Sequence, residues 1–492
     1  MSQASSKDYV AVLDIGSNAV RFVVYDGLNR APFKIHNERT QCHLGKHIAT
    51  TGRLNPEGVV LAFESIGRYA GLIKAMKIKQ VRAVATAAMR DAADGQDFIK
   101  KVKSEFGLKI EIIEGEEEAR LAASGVMMNG LGAQGVIGDY GGGSLELIVI
   151  ENDTVKHKTS LPIGAHRLHA IEGAAAQVAA IDKHLEGVEF LKNYTGRDFY
   201  AMGGAWRSMA RAHMRMIKHP VLMLDHYTIP GDKAGEFAGM LSQQNEAALK
   251  KTIGIMEKRV HDMGVAALAM QRVFNVLQPS RLIFSGTGLR EGLLYDQLAP
   301  DVQTADALLA SCEKIALEGS RFSDHEGFEA LGKWIAPLFA GADAKTLRLL
   351  KASCLLTDIG WFEHEDYQAS HAFERVLVMP FYGIDHHGRA FLALSQYVRY
   401  GGDAADTKDI CGKLIDEKEA AAATVAGLAQ STGYLLTGGA LGLLKDSDLV
   451  VTPKTLTLKL RAKSHMLNAE VVGKALSQLA AAMGKEAAIE TA

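Results

Sequence analysis

The sequence predicts an α/β protein whose first three hundred residues contain one structural motif twice. The first copy is an apolar strand that ends in Asp14-Ile15-Gly16-Ser17-Asn18 and is followed by a second strand. The other copy is a hairpin in which residues 135–137 lead into Asp139-Tyr140-Gly141-Gly142-Gly143-Ser144-Leu145-Glu146. Helical and strand-like patterns alternate between and after these hairpins, as in α/β folds. Together these observations predict a duplicated fold whose halves each present a glycine turn to one cleft.

The second glycine turn has the composition of an anion-binding loop. Successive glycines permit a tight backbone path and let main-chain N–H groups approach an anion with no Cβ in the way. Asp139 and Glu146 lie on either side of the turn, where their carboxylate oxygens could coordinate Mg²⁺ beside a phosphate. The alternative is a glycine-rich hairpin with two unrelated acids, and the similar turn after Asp14 favours the phosphate interpretation.

The first half then alternates helix and strand. Residues 53–77 predict a helix with apolar residues at three- and four-residue steps, and residues 80–85 a short buried strand. A helix over 97–106 and a strand over 109–113 follow. The next helix has Glu116, Glu117 and Glu118 in its first turn. Negative charge is favoured there, but the first turn after a strand end also points toward the ligand region of α/β folds, so both interpretations stay open.

The second half repeats this order before the pattern changes. Helices are predicted to about residue 194, then a strand over 199–206 that contains two glycines, a largely helical stretch to Leu277, and a strand over 281–284. From about residue 306 the pattern is helix after helix, including 347–356 and 390–400. Residues 455–463 alternate with period two and predict a half-buried strand. Its polar face carries Lys454, Lys459, Arg461 and Lys463, which indicates either solvation or a basic strip for a long anionic substrate.

Composition limits the classes of function. The chain has 492 residues, 48% hydrophobic and 23% charged, which suits three or four globular domains. A formal net charge of -2 gives no global electrostatic case for nucleic acid or an anionic membrane. The four cysteines, Cys42, Cys312, Cys354 and Cys411, are far apart and form no metal or redox motif. With no apolar leader and no membrane-length apolar run, we expect a soluble, cytoplasmic protein.

The paired Asp-x-Gly hairpins resemble the actin-like superfamily of sugar kinases, chaperone ATPases and phosphatases. An ordered series of motifs resembles one family within it, the exopolyphosphatase and guanosine pentaphosphate phosphatase family. The motifs are Val12-Leu13-Asp14-Ile15-Gly16-Ser17-Asn18, Ala85-Thr86-Ala87-Ala88-Met89-Arg90, Glu114-Gly115-Glu116-Glu117-Glu118-Ala119-Arg120-Leu121, residues 139–146, and Leu289-Arg290-Glu291-Gly292.

The resemblance implies a domain order. Two actin-like (ribonuclease H-like) domains are expected at residues 1–134 and 135–305, a helical HD-like domain at 306–445, and a small α+β domain at 446–492. Two departures stand out. Thr357-Asp358 replaces the His-Asp of an HD metal site, so a working metal centre is not expected there. Ala205-Trp206-Arg207 replaces a Ser-Gly-Thr loop, and Arg207 offers a bidentate grip on phosphate.

The resemblance also implies a reaction, the Mg²⁺-dependent hydrolysis of terminal phosphate from inorganic polyphosphate. By this resemblance, Glu118 is the general base. Asp139 and Glu146 are the metal-binding residues, with Asp14 as a further, outer metal-binding residue. The expected phosphate-binding residues are Ser17, Asn18, Arg90, Gly142, Gly143 and Ser144. A homodimer is expected. The alternatives are hydrolysis of guanosine pentaphosphate (pppGpp), a non-hydrolytic actin-like nucleotide-binding protein, and a non-catalytic regulator.

Overall fold

The computed structural model describes residues 8–252, 257–321, 325–461 and 470–491. The chain forms two compact units, Met1–Ala305 and Asp306–Ala492. Within the described segments, no helix combines the length and the apolar composition needed to cross a bilayer. Lys463, which the sequence assigns to the last basic strand, lies outside the described residues.

The first sheet of the first unit is mixed, with the strand order β3-β2-β1-β4-β5. Its strands are β1 Val10–Ile15, β2 Ala19–Tyr25, β3 Lys34–Gln41, β4 Gln80–Ala85 and β5 Glu111–Ile112. Strand β1 runs antiparallel to β2 and parallel to β4. The apolar run that forms β1 is buried on both faces of the sheet, as a central strand requires. The parallel pairing brings the carboxyl ends of β1 and β4, and so Asp14 and Thr86, to the same edge.

The second sheet repeats this arrangement and adds one strand, in the order β10-β11-β9-β6-β7-β8. Its strands are β6 Gly135–Tyr140, β7 Leu145–Glu151, β8 Thr154–Leu161, β9 Asp198–Met202, β10 Tyr227–Pro230 and β11 Arg281–Phe284. Strand β6 is antiparallel to β7 and parallel to β9, just as β1 is to β2 and β4. The duplication predicted from the two hairpins is therefore present in the strand order. We call the parts built on the two sheets the first and second lobes.

Helices cover both sheets of the first unit. They are Ile48–Thr51, Pro56–Ala75, Ala87–Asp91, Gly95–Phe106, Gly115–Met128, Ala165–His169, Ala174–Glu186, Gly204–Met216, Gly231–Ser242, Glu246–Lys251, Glu257–Leu277, Leu289–Tyr295 and Pro300–Thr304, with a 3-10 helix at Glu189–Tyr194.

Alanines of Gly115–Met128 pack on the core of the second sheet. This helix also lies so close to Leu289–Tyr295 that a Cβ on Gly125 would lie 2.0 Å from Gly288 O. Small residues thus hold the helix that carries Glu118 against the second lobe.

The second unit is mainly helical and ends in a three-stranded sheet. Its helices are Ala307–Gly319, His325–Ile335, Ala344–Leu355, Glu365–Val378, His386–Arg399, Lys408–Cys411, Glu417–Thr437 and Glu470–Ala482, with 3-10 helices at Ala336–Phe339, Ala404–Thr407 and Leu441–Asp446. The strands β12 Ser447–Val451, β13 Thr455–Leu460 and β14 Glu486–Thr491 follow the order β12-β13-β14. Lys459 on β13 pairs with Glu490 at 3.3 Å, so part of the predicted basic strip is neutralised.

The Thr357-Asp358 pair lies in the interior of the second unit. Asp358 accepts hydrogen bonds from Arg321 N at 2.7 Å and Arg321 Nε at 3.0 Å. Arg399 Nε donates to Thr357 Oγ1 at 3.2 Å, and its guanidinium lies 3.8 Å from the centre of the Tyr434 ring. An arginine therefore already supplies the positive charge beside this carboxylate.

Several elements differ from the sequence prediction. The strand predicted over 199–206 ends at Met202, and Trp206 lies in the helix Gly204–Met216, where its Nε1 donates to Ala266 O at 2.8 Å. Strands β3, β8 and β10 were not predicted. Strands β3 and β8 are outer strands with largely polar sequences and mostly part-exposed residues, so they lack the apolar alternation on which the prediction depends.

Candidate active site

Two glycine turns face each other across the cleft between the two sheets. Residues 16–18 join β1 to β2, and the Gly16 N–H donates to Ala19 O at 3.0 Å. Residues 141–144 join β6 to β7, and the Gly141 N–H donates to Ser144 O at 2.9 Å. A Cβ placed on Gly143 would lie 3.7 Å from Ser17 Oγ. The two turns are thus near enough for both to contact one phosphate-sized group.

A cavity of about 210 Å³ lies between the turns. Eight of the ten residues predicted from the sequence line it, namely Asp14, Ser17, Asn18, Glu118, Asp139, Gly142, Gly143 and Ser144. The other two lie just behind the lining, Arg90 beside Glu118 and Glu146 opposite Asp139 in the hairpin. The fold therefore brings all ten residues to one place, although they come from four separate stretches of the chain.

A glycine outside the second turn holds that turn in position. Gly164 precedes the short helix Ala165–His169, and a Cβ on it would lie 2.3 Å from Ser144 N and 2.4 Å from Gly143 C. The backbone following the turn also returns to it, since His166 N–H donates to Gly142 O at 2.8 Å. The second turn is therefore packed directly against main chain, with no room for a side chain between them.

Glu118 lies in the first turn of the helix Gly115–Met128, where three acids were noted in the sequence. Its carboxylate is 3.6 Å from Arg90 Nη1, and within the described chain its buried Oε2 has no hydrogen-bond partner. Burial, followed by repulsion from Glu146 and Asp139, raises the pKa of Glu118 well above its ordinary value, while Arg90 opposes the rise. Its neighbour Glu117 instead bonds Arg120 at the surface. The structure thus separates one cleft-facing acid from one surface acid in the same turn.

Asp139 and Glu146 form an acidic pair across the second hairpin. They are opposite each other in the β6–β7 register. Glu146 is only 3% exposed and accepts a hydrogen bond from Ser160 Oγ at 2.9 Å. Burial and then Asp139 raise the pKa of Glu146 to about 7, and burial also raises the pKa of Asp139. The pair thus carries negative charge where little solvent screens it.

The donor set suits a hydrated hard cation rather than a closed metal cage. In the part of the chain that the structure describes, no group of three or more His, Cys, Asp or Glu side chains is arranged around a common metal position. Mg²⁺ retains several waters and is usually bound through one or two carboxylates together with substrate phosphates. Asp139 and Glu146 can supply those carboxylates, and a cation would offset the burial and repulsion that raise their pKa values.

Positive charge enters the site from three arginines. Arg90 lies beside Glu118 and donates through Nη1 to Ile113 O at 2.9 Å. Arg290 Nη1 pairs with Asp14 Oδ2 at 2.8 Å. Arg207 lines the cavity, and its Nε donates to Gly203 O at 3.1 Å. Asp14, expected as an outer metal-binding residue, therefore has a cationic partner within the protein.

Sequence reasoning missed some lining residues. Asp262 lines the cavity from the helix Glu257–Leu277, as does Tyr140 from the end of β6. Asp262 is a single acid in a long helical stretch, without a glycine turn or motif beside it, so no local signal identifies it. Arg207 and Arg290 were noted in motifs, but their common position in the cavity depends on the fold.

Sequence comparisons place the chain among phosphatases. The sequence model of the Ppx/GppA phosphatase family matches residues 23–300, and a second one, described as "Exopolyphosphatase, C-terminal", matches residues 308–489. Exopolyphosphatase 2 of Mycobacterium tuberculosis is 33% identical over 170 residues, which cover 32% of this chain and 53% of the relative. A guanosine-5'-triphosphate,3'-diphosphate pyrophosphatase of Vibrio parahaemolyticus is 24% identical over 316 residues, 61% of either chain. The chain thus spans about half to three fifths of the length of these curated relatives.

Solved structures share the fold of this chain over about three fifths of its length. The Aquifex aeolicus member of the Ppx/GppA family matches with a TM-score of 0.51 and 25% identity, covering 59% of this chain and 97% of that one. An exopolyphosphatase from Cytophaga hutchinsonii matches with a TM-score of 0.54 and 21% identity, covering 58% of this chain and 96% of that one. The second of these similarities is evidence for the fold alone.

Proposed function

Because the chain belongs to the Ppx/GppA phosphatase family, whose model matches residues 23–300, we propose that it is an exopolyphosphatase. The protein is then a phosphoanhydride hydrolase that releases terminal phosphate from inorganic polyphosphate, with Mg²⁺ as cofactor. The observation that carries the proposal is Glu118, a buried carboxylate at the cavity between the two turns, whose Oε2 has no hydrogen-bond partner among the described residues. The match of residues 308–489 to the exopolyphosphatase C-terminal model supports polyphosphate as the substrate.

The two turns bind the terminal phosphate in this mechanism. Phosphoryl transfer depends mainly on positioning and on neutralising the charge of the phosphate oxygens. The backbone N–H groups of Ser17, Asn18, Gly143 and Ser144 supply neutral donors from both sides of the cleft. Arg90, next to Glu118, supplies a cation near the terminal phosphate. The small cavity leaves room for a phosphate and a few waters.

Glu118 acts as the general base. A water oxygen attacks the terminal phosphorus, its proton passes to the Glu118 carboxylate, and the bridging P–O bond breaks to release the shortened polyphosphate. The raised pKa of Glu118, caused first by burial, strengthens the carboxylate as a proton acceptor near neutral pH. Arg90 at 3.6 Å keeps part of the population deprotonated before attack.

Mg²⁺ would be held by Asp139 and Glu146, with Asp14 further out, and when bound it would neutralise charge on the phosphate oxygens. Asp14 meanwhile orients Arg290 through their ion pair, so its carboxylate contributes to the site even without contacting a cation.

A phosphate-release assay on the purified full chain, with Mg²⁺ and polyphosphates of several lengths, tests the proposal. Glu118→Gln should lower the rate about 10²- to 10⁴-fold, the usual effect of removing a general base. Glu117→Gln is the matched control, since that side chain pairs with Arg120 at the surface, and it should retain wild-type activity. Near wild-type release by a folded Glu118→Gln protein would refute the role of Glu118.

The second candidate function is hydrolysis of pppGpp, and the similarity to the Vibrio pyrophosphatase favours it. Rates on long polyphosphate and on pppGpp, compared under the same conditions, separate the two. A nucleotide-binding protein without turnover is the third candidate, and it predicts tight ATP binding in calorimetry with no phosphate release. The proposed homodimer is tested by sedimentation of the full chain.

A further inference from the structure

Two arginine side chains line the active-site cavity, and they differ in their partners. Arg290 is ion-paired with Asp14 at 2.8 Å. Arg207 is largely buried, and its one hydrogen bond in the described chain joins Nε to Gly203 O in its own helical turn. In the described chain, its terminal Nη groups make no hydrogen bond or ion pair with a protein group. A guanidinium at a cavity without a protein acceptor is available to an anionic ligand.

The local structure opposes a positive charge at residue 207. Arg207 lies in the first turn of the helix Gly204–Met216, which has no acid in that turn. The N-terminal end of a helix carries partial positive charge and favours acids, so an arginine there is electrostatically unfavourable. Burial and then the nearby Arg290 both lower the pKa of Arg207, to about 10, while Asp139 opposes them. In the described chain, neither the helix nor an ion pair stabilises the positive charge of Arg207, whereas a bound anion would stabilise it.

The position of Arg207 relative to Glu118 gives a direction along the cleft. In the second sheet, β9 pairs with β6 on one side and leads into the helix that carries Arg207, whereas β7 and β8 lie on the other side of β6. The helix that carries Glu118 begins beside β8, since a Cβ on Gly115 would lie 3.1 Å from Ser160 Cβ. Arg207 therefore lies on the side of Asp139 away from Glu118. In an in-line displacement, the attacking water and the leaving group are on opposite sides of the phosphorus. If water is activated at Glu118, the leaving group extends toward Arg207.

We propose that Arg207, beside the Arg290–Asp14 pair, forms a second phosphate subsite that binds the phosphate next to the bond being hydrolysed. The inference rests on the proposed hydrolase function and deepens it. It restricts the substrate class to phosphoanhydrides that carry at least one charged phosphate on the leaving side. Orthophosphate, which occupies the terminal site alone, does not reach Arg207.

Binding measurements on protein that cannot turn over test this subsite. Calorimetry with Mg²⁺ compares tripolyphosphate and orthophosphate as ligands of Glu118→Gln and of the double variant Glu118→Gln/Arg207→Ala. Loss of Arg207 should weaken tripolyphosphate binding about 10- to 100-fold, the range for losing charge-assisted hydrogen bonds. Orthophosphate affinity should change less than about twofold. Arg211→Ala, one turn later on an exposed position of the same helix, is the matched control and should change neither affinity.

Any other pattern of binding would contradict the proposed phosphate subsite at Arg207. Equal loss of both affinities, no loss of either, or no tripolyphosphate binding to Glu118→Gln would overturn the subsite. Arg207→Met keeps the length of the side chain without the charge and replaces Arg207→Ala if the alanine variant does not fold. Failure of the proposed function is recognised separately, because wild-type protein would then release no phosphate from polyphosphate, whatever the binding data show for Arg207.

Discussion

The two hairpins that form the cleft share one topology but carry opposite charges at the same position. In the first lobe, Asp14 lies opposite Arg21 in the β1–β2 register. In the second lobe, Asp139 lies opposite Glu146 in the β6–β7 register. The aspartate is the fifth residue of its strand in both cases. The two hairpins therefore share the same strand pairing and an aspartate at the same position. The residue opposite that aspartate is basic in the first lobe and acidic in the second.

The electrostatic consequences differ accordingly. In the first lobe, Asp14 pairs with Arg290, and Arg21 Nε donates to Asn37 Oδ1 at 3.0 Å, so the acid is balanced by protein groups. In the second lobe, burial raises the pKa values of Asp139 and Glu146, and each of these acids lacks an ion-pair partner in the described chain. Uncompensated buried charge is costly. The acid of the first hairpin is therefore balanced by protein groups and the acidic pair of the second is not, which supports the cation site proposed there.

The largest effect on activity expected from this comparison of the two lobes comes from the glycines that support the two turns. Gly164→Ala would place a Cβ 2.3 Å from Ser144 N, so the second turn must shift, and displacement of about 1 Å at a reacting group can cost about 10²-fold in rate. In the first lobe, the closest atom to a Cβ in Gly45→Ala would be Ser17 Cβ, at 3.0 Å, so this variant should have a much smaller effect. Phosphate-release kinetics and thermal melting of both variants check this. Similar kinetics for the two would show that the second turn is not the more tightly constrained.

The second prediction tests whether the acid opposite Asp139 in the second hairpin contributes to metal binding. Glu146→Gln should raise the Mg²⁺ concentration needed for half-maximal activity about 10- to 100-fold, as expected when a supporting metal carboxylate is removed. Arg21→Gln, at the equivalent position of the first lobe, should leave the Mg²⁺ requirement close to that of the wild type. A Mg²⁺ titration of phosphate release measures both. Equal shifts in the two variants would contradict the assignment of the cation to the second lobe.

The third prediction concerns the contact between the lobes, and its effect is on stability rather than on activity. Glu291 is fully buried on the helix Leu289–Tyr295, where it bonds Lys34 at 2.7 Å and Tyr25 at 2.9 Å, both from the first sheet. Burial opposes its charge, but Lys34 and Arg290 outweigh burial and lower the pKa of Glu291 to about 2. A depressed acid pKa stabilises the fold fully above the unfolded value near 4.5 and less as the pH falls toward 2.

Glu291→Gln should therefore lower the free energy of unfolding by about 3 kcal/mol at pH 7. The loss should fall to less than half of that at pH 3, because wild-type Glu291 contributes less there. Urea unfolding of the full chain at both pH values measures the difference. Glu236→Gln is the control, since its ion pair with Lys233 is exposed and contributes little. A pH-independent loss would show that Glu291 acts through packing rather than charge.

Much of the first unit was predictable because its central strands are apolar. Strands β4 and β11 were predicted with the bounds that the structure has, and both hairpins were located from their glycine turns. The outer strands β3 and β8 were not, because their residues are held by pairing with β2 and β7 rather than by burial. The strand predicted over 199–206 is too long at its carboxyl end, because the chain enters a helix at Gly204 and Trp206 belongs to that helix.

The site was predictable where a motif fixes local geometry and less so where distant segments meet. Residues of the two turns needed only the glycine pattern, and Glu118 needed the family resemblance to be chosen over Glu116 and Glu117. The pairing of Asp14 with Arg290 joins residues 276 positions apart and has no local signal. The position of Arg207 in the cavity likewise depends on how the helix Gly204–Met216 follows β9, whose last residue pairs with Asp139.

The helix Gly115–Met128 follows the last strand of the first sheet, yet its alanines pack into the core of the second. Any hinge rotation of the sheets would therefore carry Glu118 along with Asp139 and Glu146 as one rigid body. Opening would withdraw Ser17, Asn18 and also Arg90 from this body, while Glu118 would stay beside Asp139 and Glu146. The distance between the two lobes would then set both the phosphate contacts of the first turn and the ion pair that opposes the raised pKa of Glu118.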